Sequence, residues 1–365
     1  IYTAVPLDAG ATGTTTTAKA FTTSLADDSP IRDLIASQAP ARYSDGDRLN
    51  RSNRLINYLR GDASREGTNA TNRLRIRERV NNLAPLGDIV DSDPNFVAQT
   101  NLPYYWDADF TTFRAKTATR TPMLYVGGND GMLHAFRATQ ATDANGNVVD
   151  SSAGTEVFAY IPAAVLGNLG LLGAQDYADN HRFFVDGPIY TGDAKINSEW
   201  KTLLIGGLGG GGKAVYALDI TGNIDGSSTV ESTFGSADSV VKWEFTHPEL
   251  GYTYGRSTLV HLKDGTRSGV WAAVVPNGYN STSQKAKLFL LNADTGAMLT
   301  TDPLGNDTDD EGSDSTPNGL STPLPVDLNG DGFTDYLYAG DLLGNLWRYD
   351  VRNTISIPSF CATEK

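Results

Sequence analysis

"LYVGGNDGMLHAF", residues 124–136, decides how this chain folds. Leu124, Tyr125 and Val126 lead into Gly127, Gly128, Asn129, Asp130 and Gly131, and a second apolar run ends at Phe136. β-Branched and aromatic residues on both sides of a Gly/Asn/Asp cluster predict two strands joined by a tight turn. The scheme returns in "LLIGGLGGGGKAVYALDI" (203–220), in "AAVVPNGYN…KLFLLNADTGAML" (272–299) and in "YLYAGDLLGNLWRYDV" (336–351). Between the hairpins lie further strand-like runs, "EVFAYIP" (156–162) and "RFFVDGPIYTGDA" (182–194). Hairpins repeated without intervening helices predict an all-β chain, a β-propeller, with an irregular β-sandwich as the runner-up. At ~40–45 residues per blade, residues 85–351 hold about six blades.

The stretch before residue 85 has a different texture. Residues 1–30 are rich in Thr, Ala and Gly and predict an irregular or extended segment. "PIRDLIASQ" follows, and then "DRLNRSNRLINYLRGD", where Leu49, Ile56 and Leu59 space a short amphipathic helix that Gly61 ends. "TNRLRIRERV" (71–80) fits helix or strand. The chain thus divides into an irregular and helical segment (1–84), the propeller (85–352) and a tail (353–365).

Composition narrows the function. With 29 basic and 43 acidic residues the net charge is −14, which argues against nucleic acid or anionic lipid as partner and favours cations. At 39% hydrophobic content the 365 residues can bury a sizeable core. No apolar run reaches the ~18 residues of a membrane span. The chain opens at Ile1 without a charged region ahead of an apolar one, and reads as a mature or excised fragment. Its one cysteine, Cys361, forms no internal disulfide and no cysteine metal site. It is a free thiol in the tail, or it pairs outside this segment.

Several motifs read as structure rather than chemistry. "GGLGGGGKA" (206–214) satisfies the phosphate-loop spacing through Gly207, Gly212 and Lys213, but "AVYALDI" after it alternates like a strand and Ala214 replaces the magnesium-binding hydroxyl. It reads as a hairpin turn. His134, His181, His247 and His261 share no metal or triad spacing, and no G-x-S-x-G elbow is present. "NDTDDEGSD" (306–314) reads as a solvated acidic loop.

"DLNGDGFTD" (327–335) is different. A hard cation such as Ca2+ takes six to eight oxygens. Asp327, Asn329 and Asp331 fall at loop positions one, three and five, and Gly332 at six allows the sharp turn. Phe333 can offer only its carbonyl, and Asp335 closes the set. The flanks, "PLPV" and "YLYAG", are strand-like, and Tyr338 stands where a helix-flanked loop has Glu. The spacing predicts a calcium loop inside β-structure. A second short signal is Arg60-Gly61-Asp62, the tripeptide integrins read, or simply the end of the preceding helix.

Two of the hairpin units resemble the repeat of pyrroloquinoline-quinone enzymes. That raises the alternative of a periplasmic quinoprotein dehydrogenase, which the lone Cys361 disfavours because many such enzymes carry adjacent cysteines beside the cofactor. The ordered blocks "NYLRGD", "LGDIVDSDP", "YVGGNDGMLHAF", "EVFAYIPAAVL", "RFFVDGPIYTGDA", "WKTLLIGGLGGGGKAVYALDIT" and "DLNGDGFTDYLYAGDLLGNLWRYD" go further. Together, over about residues 45–352, they resemble the C-terminal domain of PilY-type (PilC/PilY) type IV pilus biogenesis factors and tip adhesins. The resemblance implies a modified propeller of about seven blades and no enzyme activity. It implies a place at the cell surface, periplasm or outer membrane and pilus tip, with minor pilins as partners. It implies that calcium, held by Asp327, Asn329, Asp331, the Phe333 carbonyl and Asp335, regulates pilus extension against retraction and hence twitching motility. It also implies integrin or other receptor binding through Arg60, Gly61 and Asp62, and a second calcium site for which Asp45 and Asp47 are weak candidates. Family members usually continue past "GNLWRYD", so further closing strands are expected beyond this segment. A surface adhesin propeller outside pilus biology is the third reading.

Overall fold

A computed structural model describes residues 1–4, 13–15, 17–25, 30–37, 48–67, 74–78, 86–100, 102, 104, 106–118, 120–138, 141–142, 148–150, 153–222, 237–266, 268–305 and 312–352. The N-terminal part contributes β1 (Tyr2–Ala4), β2 (Gly13–Thr15), β3 (Ala18–Ala20), α1 (Pro30–Ser37) and α2 (Arg48–Leu59). Then come β4 (Asn95–Val97), α3 (Ala108–Thr117), β5 (Met123–Gly127), β6 (Leu133–Arg137), the small pair β7 (Ala141–Thr142) and β8 (Val148–Asp150), and β9 (Glu156–Ile161). A 3-10 stretch, Ala163–Gly173, leads to β10 (Ile189–Ile196), β11 (Glu199–Gly207), β12 (Val215–Asp219), α4 (Ala237–Val240) and β13 (Val241–Thr246). The last six strands are β14 (Thr258–Leu262), β15 (Val270–Pro276), β16 (Leu288–Asn292), β17 (Leu324–Val326), β18 (Tyr336–Gly340) and β19 (Leu346–Asp350).

These strands pair as consecutive antiparallel meanders, which are blades: β4-β5-β6-β9, β10-β11-β12-β13, β14-β15-β16 and β17-β18-β19. The four hairpins read from sequence are four blade centres. Uniform spacing of ~40–45 residues predicts about six blades over the same stretch. The first two blades are longer than that spacing allows, because connections such as the 3-10 stretch are inserted around their strands. Of the irregular or extended backbone expected at the N-terminus, the described residues among the first twenty take the extended form as β1, β2 and β3. β1 runs parallel to β9 (Tyr2 opposite Tyr160) and carries β3, while β2 pairs with β13 (Thr14 opposite Phe245). They extend the outer edges of the first two blades. Residues 75–78, in the stretch whose sequence fits helix or strand, are neither.

The core lies between blades. β14, "TLVHL", the first strand of its blade, is buried at every position because a neighbouring blade covers each face. One cluster joins the first two blades to α1, α2 and the 3-10 stretch through Ile31, Ile56, Leu169 and Tyr216. A second joins the next pair through Trp200, Trp243, Phe245 and Phe289, and receives Phe110 and Phe113 of α3. Asp107 caps α3 by accepting from the Asp109 amide at 2.8 Å. The third cluster joins the last two blades through Leu262, Leu290, Leu337 and Trp347. On β19 the period of two is plain: Trp347 and Tyr349 point inward, while Leu346 is exposed.

One carboxylate explains why three separated sequence blocks belong together. Asp186, fully buried in "FFVDGP", accepts from the backbone amides of Val90, Asp91 and Ser92 in "DIVDSD", and from Asn129 Nδ2 in "GGNDG". A buried charge is tolerated where donors surround it. Here the donors tie the strand-free segment before β4 to the turn of the first hairpin.

Candidate metal loop

The nine residues 327–335 join β17 to β18, as the strand-like flanks predict. Asp327 folds back over the loop: Oδ1 accepts from the Gly330 amide at 2.8 Å and Oδ2 from the Gly332 amide at 2.9 Å. Asn329 Oδ1 accepts from the Asp331 amide, and Asp331 Oδ1 from the Phe333 amide at 3.0 Å. Asp335 Oδ2 accepts from the Leu328 amide at 2.8 Å, which closes the loop on itself. Gly332 has φ +87°, and a Cβ there would also stand 2.4 Å from the Trp106 indole nitrogen, so this turn admits only glycine. Asp335 is buried, whereas Asp327, Asn329 and Asp331 are exposed.

All five sequence-predicted ligands therefore sit on one short loop. Their carboxylates are turned onto loop amides rather than onto a common centre. Among the described residues no three acidic, histidine or cysteine groups are gathered as a preformed metal site. The donor set is nonetheless all oxygen, three carboxylates with an amide and a carbonyl, which suits a hard cation and no soft one. An ionised carboxylate has about four lone-pair positions. The amide bonds leave several of them free on Asp327 and Asp335.

Residues remote in sequence complete the surroundings. Lys263, one position after β14, donates from Nζ to Asp331 Oδ2 at 2.8 Å. That ammonium holds the Asp331 carboxyl below its ordinary range. The Phe333 ring stacks on His261 (centroids 4.2 Å apart), and His261 stacks in turn on Trp271 at 4.7 Å and Trp106 at 5.4 Å. His261 Nε2 lies 2.7 Å from the Ser268 carbonyl, and burial lowers the pKa of the ring. The Thr334 amide donates to the His261 carbonyl at 2.8 Å. The loop of the fourth blade is thus seated on the third. Beside it opens a groove of about 670 Å³ whose lining includes Trp106, Asp107, Lys195, His261, Trp271 and Phe333.

Residues 86–358 match the family model described as the PilY1 beta-propeller domain. The chain belongs to the PilY1 β-propeller family. It is 37% identical over 306 residues to the type IV pilus biogenesis factor PilY1 of Pseudomonas aeruginosa strain PAK, a match covering 81% of this chain and 22% of the relative. It is 35% identical over 316 residues to a PilY1 homolog of Xylella fastidiosa, covering 82% and 19%. The solved C-terminal domain of P. aeruginosa PilY1 superposes with a TM-score of 0.50 at 34% identity, over 70% of this chain and 45% of that one. The chain spans about a fifth of the length of the curated PilY1 relatives it matches.

The tripeptide lies at the end of α2. Gly61 has φ +106°, the Asp62 amide donates to the Asn57 carbonyl at 2.9 Å, and the Gly61 amide donates to the Tyr58 carbonyl at 2.9 Å. This is a Schellman C-cap, so the glycine serves the helix. Arg60 also reaches the Phe21 carbonyl, and Asp62 takes the amide and hydroxyl of Ser64. Both flanking residues are exposed. The glycine-rich stretch 206–214 is the β11–β12 hairpin turn, as read. Asp45, Asp47, Cys361 and residues 306–311 of the acidic run lie outside the described residues.

Sequence reasoning missed Lys263 and assigned His261 no role. Both approach the loop from about seventy positions away, across a blade boundary, and no local pattern carries that. His134 is held between Asp130 Oδ2 at 3.1 Å and Glu156 Oε1 at 2.6 Å, an ion cluster under the first hairpin.

Proposed function

We propose that this chain is the calcium-responsive propeller of a type IV pilus biogenesis factor and tip-associated adhesin, acting at the cell envelope and pilus tip without enzyme chemistry. The observation that carries the reading is the D-x-N-x-D-G-F-T-D loop at a strand connection of a PilY1-family propeller. Asp327, Asn329, Asp331, the Phe333 carbonyl and Asp335 would hold the ion. Calcium supplies charge neutralisation for three carboxylates. The chain's own residues do the rest: Phe333 and Thr334 are fixed to His261 on the neighbouring blade, so a rearranged loop is felt at Trp106 and its groove. A minor pilin or other pilus component that touches this surface would read the loop's state, and extension and retraction would follow it.

The relatives are named for pilus biogenesis rather than for a reaction, which supports this reading over a quinoprotein dehydrogenase. No helix among the described residues is long and apolar enough to cross a membrane. An integrin or other receptor role for Arg60, Gly61 and Asp62 rests on the exposure of the two charged residues alone. In a strain carrying Asp331→Ala at this position, surface pilus number and twitching motility should both change, while dye-linked dehydrogenase activity with added quinone stays at background. Unchanged pili and motility, or quinone-dependent turnover lost in the variant, would overturn the proposal.

A further inference from the structure

Lys263 stands where a cation is wanted. Its Nζ meets Asp331 Oδ2 at 2.8 Å and lies 5.4 Å from the centre of the Phe333 ring. Asp331 Oδ1 is occupied by the Phe333 amide, and Oδ2 also receives Asn329 Nδ2 at 3.2 Å. An oxygen with two lone pairs that serves Lys263 and Asn329 has none left for a metal. The ammonium comes from the third blade, the loop from the fourth. Neither side chain of the pair is buried: Lys263 is 40% exposed and Asp331 37%. The contact is therefore reversible, not a fixed core pair.

We propose that Lys263 is a tethered competitor of the divalent cation: it neutralises the loop through Asp331 and has to leave that oxygen before the ion can take it. This rests on the calcium reading above and deepens it. Two consequences follow. The loop never bears its full negative charge unopposed, so its amide-bonded turn persists without the ion. Binding also breaks a side-chain ion pair between this loop and the third blade, so occupancy changes how two blades are joined.

Calcium titration calorimetry on the intact chain, at fixed salt, tests this with Lys263→Met and Lys263→Arg. Removing one exposed charge at this range should tighten calcium binding by roughly three- to tenfold in Lys263→Met, while Lys263→Arg stays near wild type. Equal or weaker affinity in Lys263→Met overturns the competitor role and leaves the calcium reading standing. Equal tightening in both variants overturns it as well, because bulk rather than charge would then be at work. Absence of saturable uptake in all three proteins overturns the calcium reading and this inference with it.

Discussion

Glu244 is buried at the seam of the first two blades, where Tyr160 donates its hydroxyl and Ala163 its amide at 2.7 Å. Burial pushes its carboxyl up to about 7, and those donors only partly offset it. The native state then binds a proton that the unfolded chain, near the ordinary value of 4.5, has lost. Stability from this group must fall as pH rises between about 4.5 and 7, by roughly 1–3 kcal/mol at most. Urea midpoints across pH should show that fall in wild type and its absence in Glu244→Gln. His134 acts at higher pH. Burial alone would lower its pKa, but Asp130 and Glu156 outweigh burial and push it up to about 10. Its raised folded value gives stability that is complete below ~6.5 and lost as pH climbs through about 10. His134→Gln should flatten that second decline. Neither environment was legible in the sequence, where His134 is simply a residue of a hairpin and Glu244 an acid on a strand. Their partners come from other strands.

At the scale of elements, what was legible had local causes. Hairpins came from Gly/Asn/Asp clusters between apolar runs, α2 from its periodicity and Gly61, and the loop ligands from their alternation. What was not legible came from pairing at a distance: β1, β2 and β3 are three-residue strands in a threonine- and alanine-rich stretch, ordered by the edges of β9 and β13. Asp186 is an intermediate case. The blocks it joins were recognised together, yet only the structure shows one carboxylate gathering three amides. Asp186→Ala would leave those amides and Asn129 short of an acceptor and should cost about 3–5 kcal/mol, read as a lowered urea midpoint. If the midpoint moves by less than 1 kcal/mol equivalent, water or a neighbour replaces the acceptor and the tie is not structural.

The whole molecule is a row of blades glued by aromatic and aliphatic contacts across their faces. Trp243 is fully buried at one such seam and donates from Nε1 to the Ala293 carbonyl at 3.0 Å. Trp243→Ala should cost about 3–5 kcal/mol and weaken the second and third blades together. Because blades contact chiefly their neighbours, removal of calcium should rearrange the 327–335 loop and the facing edge of the third blade, where Lys263 pairs with Asp331, and spare the first two. Hydrogen exchange with and without chelator should show protection changed within residues 327–335 and at the facing edge of β14 but unchanged at β5 and β11. The central claim is that the loop itself holds the ion. Calorimetry of the purified chain against its Asp331→Ala variant tests that most directly. Wild type should take up calcium saturably, with a Kd on the order of 10⁻⁶ to 10⁻⁴ M, and the variant should not. The same uptake by both proteins would place the ion elsewhere and contradict the account.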